Sequence, residues 1–380
     1  AEIGDILFLI APTSSIVEVF TGTSAQFIAE KGFFYETQNI IINKSCSGFN
    51  FWLLSFMILA FLTIDRLIKV KQKIISILIL FVSTFLITLL VNASRILFSL
   101  KIGYLLTSLN YPKYDWLHLH HEDFTGQYGK FYAAYKNASW YQKQQSSSEA
   151  RAKSLGFKKV SKLKAAVAIN IKQFVAGGGF LFTMCSGTDS YDIALSATNT
   201  DICESMFDGD PADKQAQTKL DFAQTLAFKD YKLKTNPYEY EFSTIDATYL
   251  RIKQRLPQNQ DVFTLFDFSA KWDIVPTMLC QNHTSVIKGF MGQTTDFYKQ
   301  YIKSNVLIMG ESKALGTVRY IHGTLGQGQW TFYGGHDPED YQHRVGDPPT
   351  DLNLHPNSPG YRLILNNILF PAAKKKKRKT

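Results

Sequence analysis

The sequence predicts an α/β protein in two parts: a two-helix transmembrane hairpin, then an open parallel sheet with helices on both faces. Three observations carry this expectation. Apolar, charge-poor sequence is concentrated before about residue 108. Beyond it, strand-like runs that end in Gly or Asp alternate with helical stretches. The chain, at 380 residues, is long enough for two modest domains.

The hairpin comes first. Residues 45–64 hold twenty positions without a charge, and 74–94 hold twenty-one more. At about 1.5 Å rise per residue, either stretch is long enough for a hydrocarbon core of about 30 Å. Neither shows the polar face of a surface helix. The connector 65–73, DRLIKVKQK, carries Arg66, Lys69, Lys71 and Lys73 against Asp65 alone. The positive-inside bias places it in the cytoplasm, within a bacterial inner membrane. The first span then runs inward from Cys46 and the second outward to Arg95, so both residues emerge together at the outer face. A fixed cation lowers a thiol pKa, and a guanidinium also stabilises an oxyanion. The alternative is a packed Cys46 and an Arg95 that snorkels to the interface. Residues 96–109 are short for a third crossing, so the remainder of the chain is expected on the extracytoplasmic side.

Charge narrows the function classes. The formal net charge is +9, and six positive residues lie in the tail Lys374–Lys379, within 374–380. About +3 is left for the body, which excludes a basic nucleic-acid binder. The expected partners are a lipid bilayer and a small-molecule ligand, with no nucleic acid. Cys46, Cys185, Cys203 and Cys280 are too far apart for close-paired zinc or redox motifs. The chain opens with Ala1, and Glu2 and Asp5 stand where a signal peptide would be basic, so it reads as truncated at its front.

The sheet follows. DWLHLHHED (115–123) reads as a strand, and 138–157 with 160–174 read as helix. FLFTMCSG (180–187) is a buried strand that ends in a small-residue turn. NVLIMG (305–310) and QWTFYGG (329–335) are two more strands, and YRLILNNILF (361–370) closes as an amphipathic helix. Ligands of such sheets bind beyond the carboxyl ends of the strands.

Three clusters fall at strand ends. The first is His118, His120, His121, Glu122 and Asp123, where alternation along a strand places His118 and His120 on one face and His121 on the other. The second is Cys185 with Ser186, Gly187, Thr188 and Asp189. The third is Gly334, Gly335, His336, Asp337, Glu339, Asp340 and His343. A strand, a Cys and a small-residue turn before a helix form the setting of a nucleophile elbow. His120, His336 and Asp337 would supply a base and its orienter, and the remaining polar residues would bind the ligand. Cys185 reads equally as a core thiol, and the turn at His336 as a capped helix start. His-rich turns with carboxylates also suit a divalent metal, although no residue is assigned to one. Residues 186–190, SGTDS, approach the phosphate loop of ATP pyrophosphatases but lack a glycine of that loop. Neither metal nor ATP is required by these patterns.

Two resemblances sharpen the reading. INKSCSGFNFWLLSF and VNASRI, with Cys46, Asn92 and Arg95, resemble the exosortase/archaeosortase family, closest to its exosortase K branch. The resemblance covers about residues 1–107. It implies a membrane-embedded cysteine transpeptidase or protease with Cys46 as nucleophile and Arg95 as the group that stabilises the electrophile. The family's further spans and its His have no counterpart here, so that activity is expected to be lost. YDWLHLHHEDFTGQYGKFY, FVAGGGFLFTMCSGTDSYDIAL and the ending WTFYGGHDPEDYQH resemble a Bacteroidetes family labelled asparagine synthetase B. That ending is similar to trehalose-utilisation-like members of the class I glutamine amidotransferase-like domains. This second resemblance covers about residues 111–380. It implies an incomplete flavodoxin-like sheet over 111–373, without its first strand or two, and two truncated families that meet near Asn110. The function expected is an amidotransferase- or hydrolase-like one, acting on or binding a small sugar or amide. A binding module without chemistry is the rival.

Overall fold

The computed structural model describes residues 4–29, 32–35, 40–43, 47–105, 114–250, 260–281, 283–339 and 348–373, without the side chains at 40, 41, 95 and 98–105. Cys46, Asp340, His343 and the basic tail 374–380 lie outside the described residues, and Arg95 is described by its backbone alone. The chain divides into two compact units, Ala1–Leu109 and Asn110–Thr380.

The first unit is helical, with a small sheet. Helix α1 (Leu7–Thr21) ends at Gly22, whose φ of 68° provides the left-handed cap. A three-stranded antiparallel sheet follows: β1 (Gln26–Ile28), β2 (Gly32–Tyr35) and β3 (Ile40–Ile42). Then come α2 (Phe49–Ile64) and α3 (Val70–Leu105). Ile10 and Val17 of α1 pack with Tyr35, Ile42, Ala93 and Ile96. A second cluster joins Leu9, Trp52 and Leu89 across the three helices. The outward faces are apolar too: Leu54, Phe61, Leu78 and Leu90 are each more than half exposed. Their hydroxyl neighbours bond inside their own helices, Thr84 to the Leu80 carbonyl at 2.7 Å and Thr88 to the Thr84 carbonyl at 2.8 Å. Both hydroxyls are buried in the protein, which requires that internal satisfaction.

This arrangement corrects the expected hairpin. Helix α2 starts at Phe49, not 45, and its 16 residues extend about 24 Å. Helix α3 starts at Val70, inside the expected loop 65–73, because nothing in VKQK breaks a helix. Among the described residues, the two helical stretches long and apolar enough to cross a membrane are Gly4–Thr21 and Val70–Ser94. The sequence reading passed over Gly4–Thr21 because Pro12, Glu18 and its hydroxyl residues dilute the apolar signal.

The second unit is built on a curled, open, mixed sheet. Its order is β4 (Trp116–Leu119), β5 (Phe180–Met184), β11 (Gly328–Tyr333), β10 (Thr317–Leu325), β9 (Leu307–Ser312), β6 (Val262–Leu265) and β7 (Val286–Lys288). The short β8 (Phe297–Tyr298) also pairs with β10. Only β4, β5 and β11 run parallel. The expected all-parallel sheet is therefore replaced by a mixed one, and the reason is local. Strands β10 and β11 form a tight hairpin around Gly326-Gln327, with Gly326 at φ 58°, so no crossover helix separates them.

The helices follow from sequence pattern. Helices α5 (Ser139–Ser154) and α6 (Val160–Ala176) are the two segments of the expected helical stretch, after the single turn α4 (Tyr132–Tyr135). Leu163, Val167, Ile171 and Phe174 recur at helical spacing and form the buried face of α6. Strand β5, Phe-Leu-Phe-Thr-Met, is buried at every position, as a strand covered on both faces must be. Helix α7 (Ser186–Ser196) follows it after one residue, α8 (Ser205–Asp208) is a single turn, and α9 (Ile274–Leu279) precedes β7. The last helix, α10 (Pro359–Leu369), starts on a Ser358 side-chain cap with Pro359 in its first turn. Its Leu363 joins Phe180, Phe182, Phe263, Met309 and Tyr333 in the main core.

Candidate functional site

The three adjacent parallel strands end side by side, and each delivers one of the expected clusters. Strand β5 stops at Met184, and Cys185 turns the chain into α7 with φ 54° and ψ −140°. This sparsely populated conformation gives a strained strand-to-helix turn, the setting in which nucleophile elbows are built. It holds because both sides are crowded. A Cβ on Gly187 would lie 3.1 Å from Thr183 Cγ2 and 3.3 Å from the His120 carbonyl oxygen. The Cys185 side chain is fully buried. Its Sγ accepts a hydrogen bond from the Gln293 amide at 3.1 Å. Burial pushes the thiol pKa up, against the backbone amides of Thr294, Gln293 and Ser186 that favour the thiolate.

Strand β4 ends at Leu119, so alternation stops before His120. His121 therefore does not take the opposite face. The His120 and His121 rings lie 4.0 Å apart between centroids, and the ring of His336, from the end of β11, is 4.7 and 4.3 Å from them. One ring nitrogen from each of the three lies within 4.8 Å of the others. His120 and His336 are partly buried and His121 is exposed, so the group opens to solvent. Burial, reinforced by its imidazole neighbours, pushes His120 down to about 2, and the ring is neutral. His118 stays in the strand, stacked between Trp116 and Phe182, with Nδ1 3.1 Å from the Phe182 carbonyl oxygen.

The backbone around these rings is pinned. The His336 amide donates to the Met291 carbonyl and the Gly335 amide to the Thr294 carbonyl, each at 2.7 Å. Gly335 sits at φ 77°, where a Cβ would lie 2.6 Å from the Phe290 carbonyl oxygen. The His120 amide donates to the Glu122 carboxyl, which burial pushes above its ordinary pKa. Asp123 caps its own loop, accepting from Thr125 N at 2.7 Å and Gly129 N at 3.0 Å.

The other expected ligand residues have different surroundings. Ser186 and Asp189 are buried inside α7. Asp189 accepts from Thr294 Oγ1 at 3.1 Å, and burial with the nearby Asp246 raises its pKa well above the carboxylate range. The whole run 186–190 is the buried start of α7, so it does not form an open phosphate loop. Asp337 accepts from the Tyr361 hydroxyl at 3.0 Å. Glu339 pairs with Lys288 at 2.9 Å and accepts from Ser358 Oγ at 2.7 Å.

Sequence reading missed the wall that closes the site. Gly292, at φ 152°, has no room for a side chain: a Cβ would lie 2.8 Å from Cys185 Sγ and 3.0 Å from His336 Cδ2. The Gln293 side chain donates to the Gly129 carbonyl at 2.8 Å and the Tyr240 carbonyl at 3.2 Å, joining two loops to this wall. The only sequence signal for it is a glycine-punctuated polar run, Lys288–Thr295. In the first unit, Asn92 Nδ2 donates to the Ser47 carbonyl at 2.7 Å, which ties α3 to the residues just before α2.

Comparison with known proteins adds no relative: no family model matches the chain, and neither does any curated protein or solved structure.

Proposed function

We propose that the second unit is a hydrolytic enzyme for a small polar substrate, an amide or a sugar, bound over the carboxyl ends of β4, β5 and β11. The observation that carries this reading is the convergence of His120, His121 and His336, from two strand ends, over the strained Cys185 turn. Perturbed ionisable groups gathered at an opening with a strained backbone mark reaction sites. Imidazole is the side chain used most often for proton transfer in catalysis. Tyr240, joined to the site through Gln293, leaves much of its ring exposed, a flat apolar surface of the kind that stacks on a sugar.

A second reading, covalent catalysis by Cys185, is favoured by its backbone conformation and by the amide aimed at Sγ. The two are separated by turnover of an amide and glycoside panel by the full chain and by Cys185→Ser, with intact mass measured during turnover. Retained turnover without an adduct supports the imidazole reading. A substrate-derived adduct on Cys185 establishes the covalent one.

The first unit is proposed to hold the enzyme at a bacterial inner membrane. Exposed apolar faces on α2 and α3 support contact with lipid. Arg66, Lys69, Lys71 and Lys73 favour a cytoplasmic position for the turn between these helices. By the same rule, the carboxyl-terminal end of the Val70–Ser94 segment, and the second unit after it, are proposed to be extracytoplasmic.

A further inference from the structure

We propose that His120, His121 and His336 together bind one divalent transition-metal ion of the zinc class, with a fourth position open to water or a substrate oxygen. The inference rests on the strand-end site described above and names its cofactor. Three donors bound tetrahedrally at about 2.0–2.1 Å stand about 3.4 Å from one another. The three imidazole nitrogens already lie within 4.8 Å, so small side-chain rotations close the set. The backbones that carry them need not move. His336 is held by the Met291 carbonyl, and the His120 amide by Glu122.

The chemistry of the donors selects the ion. Three imidazole donors suit zinc, cobalt, nickel or copper, not magnesium or calcium, which take oxygen ligands. Three protein ligands with an open side are the pattern of catalytic zinc sites, whereas structural sites are closed by a fourth protein ligand. Here the exposed His121 leaves the opening and the entry path.

A second group with metal-ligand spacing among the described residues is Asp201, Cys203 and Asp208. Its charge is already answered from within the chain: the Lys159 ammonium bonds Asp201 and Asp210 and lies 3.3 Å from Asp208.

The test uses the full chain in detergent, purified without a histidine tag, stripped with chelator and dialysed against zinc or cobalt. Metal content, the visible cobalt spectrum and X-ray absorption are then measured. The expected result is about one ion per chain, with nitrogen ligands at about 2.0–2.1 Å and no sulfur ligand. His120→Ala, His121→Ala and His336→Ala should each weaken binding at least about tenfold, while Cys185→Ser and Cys203→Ser leave it unchanged. Absence of bound metal overturns the proposal, as does a sulfur-ligated ion or binding indifferent to all three histidine variants. The absorption spectrum of the unaltered chain decides the ligand set even where a variant fails to fold. Turnover by metal-free chain that is lost in the histidine variants would overturn the metal and leave the hydrolase standing. Metal bound at the trio without turnover of any substrate would do the reverse.

Discussion

The Gln293 amide donates to Cys185 Sγ at 3.1 Å, so the most strained residue of the site is held from a loop more than a hundred positions away. The thiol beneath that loop has no exposed surface. We expect iodoacetamide to label Cys185 at least ten times more slowly in the native chain than in the urea-unfolded one, with site-resolved mass spectrometry as the measurement. The half-buried Cys280 should label before it. Equal native rates at the two positions would show that the 289–295 wall does not close the site.

Gly292 gives this wall its shape. Gly292→Ala places a methyl group against both Cys185 Sγ and His336, at a φ that L side chains rarely adopt. A loss of about 1–3 kcal/mol is expected, read as a lower thermal midpoint, together with reduced turnover. An alanine variant with the parent's midpoint would contradict the packing described.

A buried ion triad joins the sheet to the loops behind it. Arg319 donates to Asp261 and, at 3.1 Å, to Asp296, and all three are almost fully buried. Arg319→Met leaves two carboxylates without their cation. The expected cost is about 3–5 kcal/mol, measured by denaturation of the solubilised chain. The double variant with Asp261→Asn should recover part of that loss.

Buried carboxyls and buried imidazoles set opposing pH dependences of stability. Burial first of all lifts Asp192 and Asp208 to about 6 and Asp246 to about 7. The folded chain therefore holds these protons more tightly than the unfolded one. Their contribution is complete below the unfolded value of about 4 and is lost as pH rises through 6 to 7. Hydrogen bonds from Lys159, Lys219 and Gln224 lower Asp210, Asp213 and Asp221, so their contributions are lost as pH falls below about 4. Burial holds His120 down to about 2 and His322 to about 4, and their contributions run the other way, lost as pH falls below about 6.5. The carboxyl part is isolated by comparing variants: as pH rises from 4 to 7 the thermal midpoint of the parent should fall relative to that of Asp246→Asn, and parallel curves would remove Asp246 as a cause.

The apolar faces of the first unit predict that the chain sediments with membranes at high speed and resists alkaline extraction. Recovery in the supernatant without detergent would contradict lipid contact.

Much of this fold was legible in single residues. The run Phe180–Met184 with the following Cys-Ser-Gly marked both β5 and its turn, because a strand covered on both faces is continuously apolar. The amphipathic run Tyr361–Phe370 marked the last helix, which begins two residues earlier on its Ser358 cap. The parallel order was misjudged where Gly326 makes a hairpin, since a strand without a polar face gives no sign of its direction. His121 was assigned to the wrong face because periodicity does not reveal that β4 ends at Leu119. Gly292 and Gln293 were invisible because their role exists only in the folded contact with Cys185.

The account stands on the strand-end imidazoles as the reacting groups. The most direct measurement is release of ammonia and reducing sugar from a panel of amides and glycosides, by the full chain and by its His120→Ala/His336→Ala variant at matched thermal midpoint. The account predicts a substrate that the full chain turns over and the variant processes at least about a hundredfold more slowly. Equal turnover by the two proteins, or none by the full chain, would contradict it.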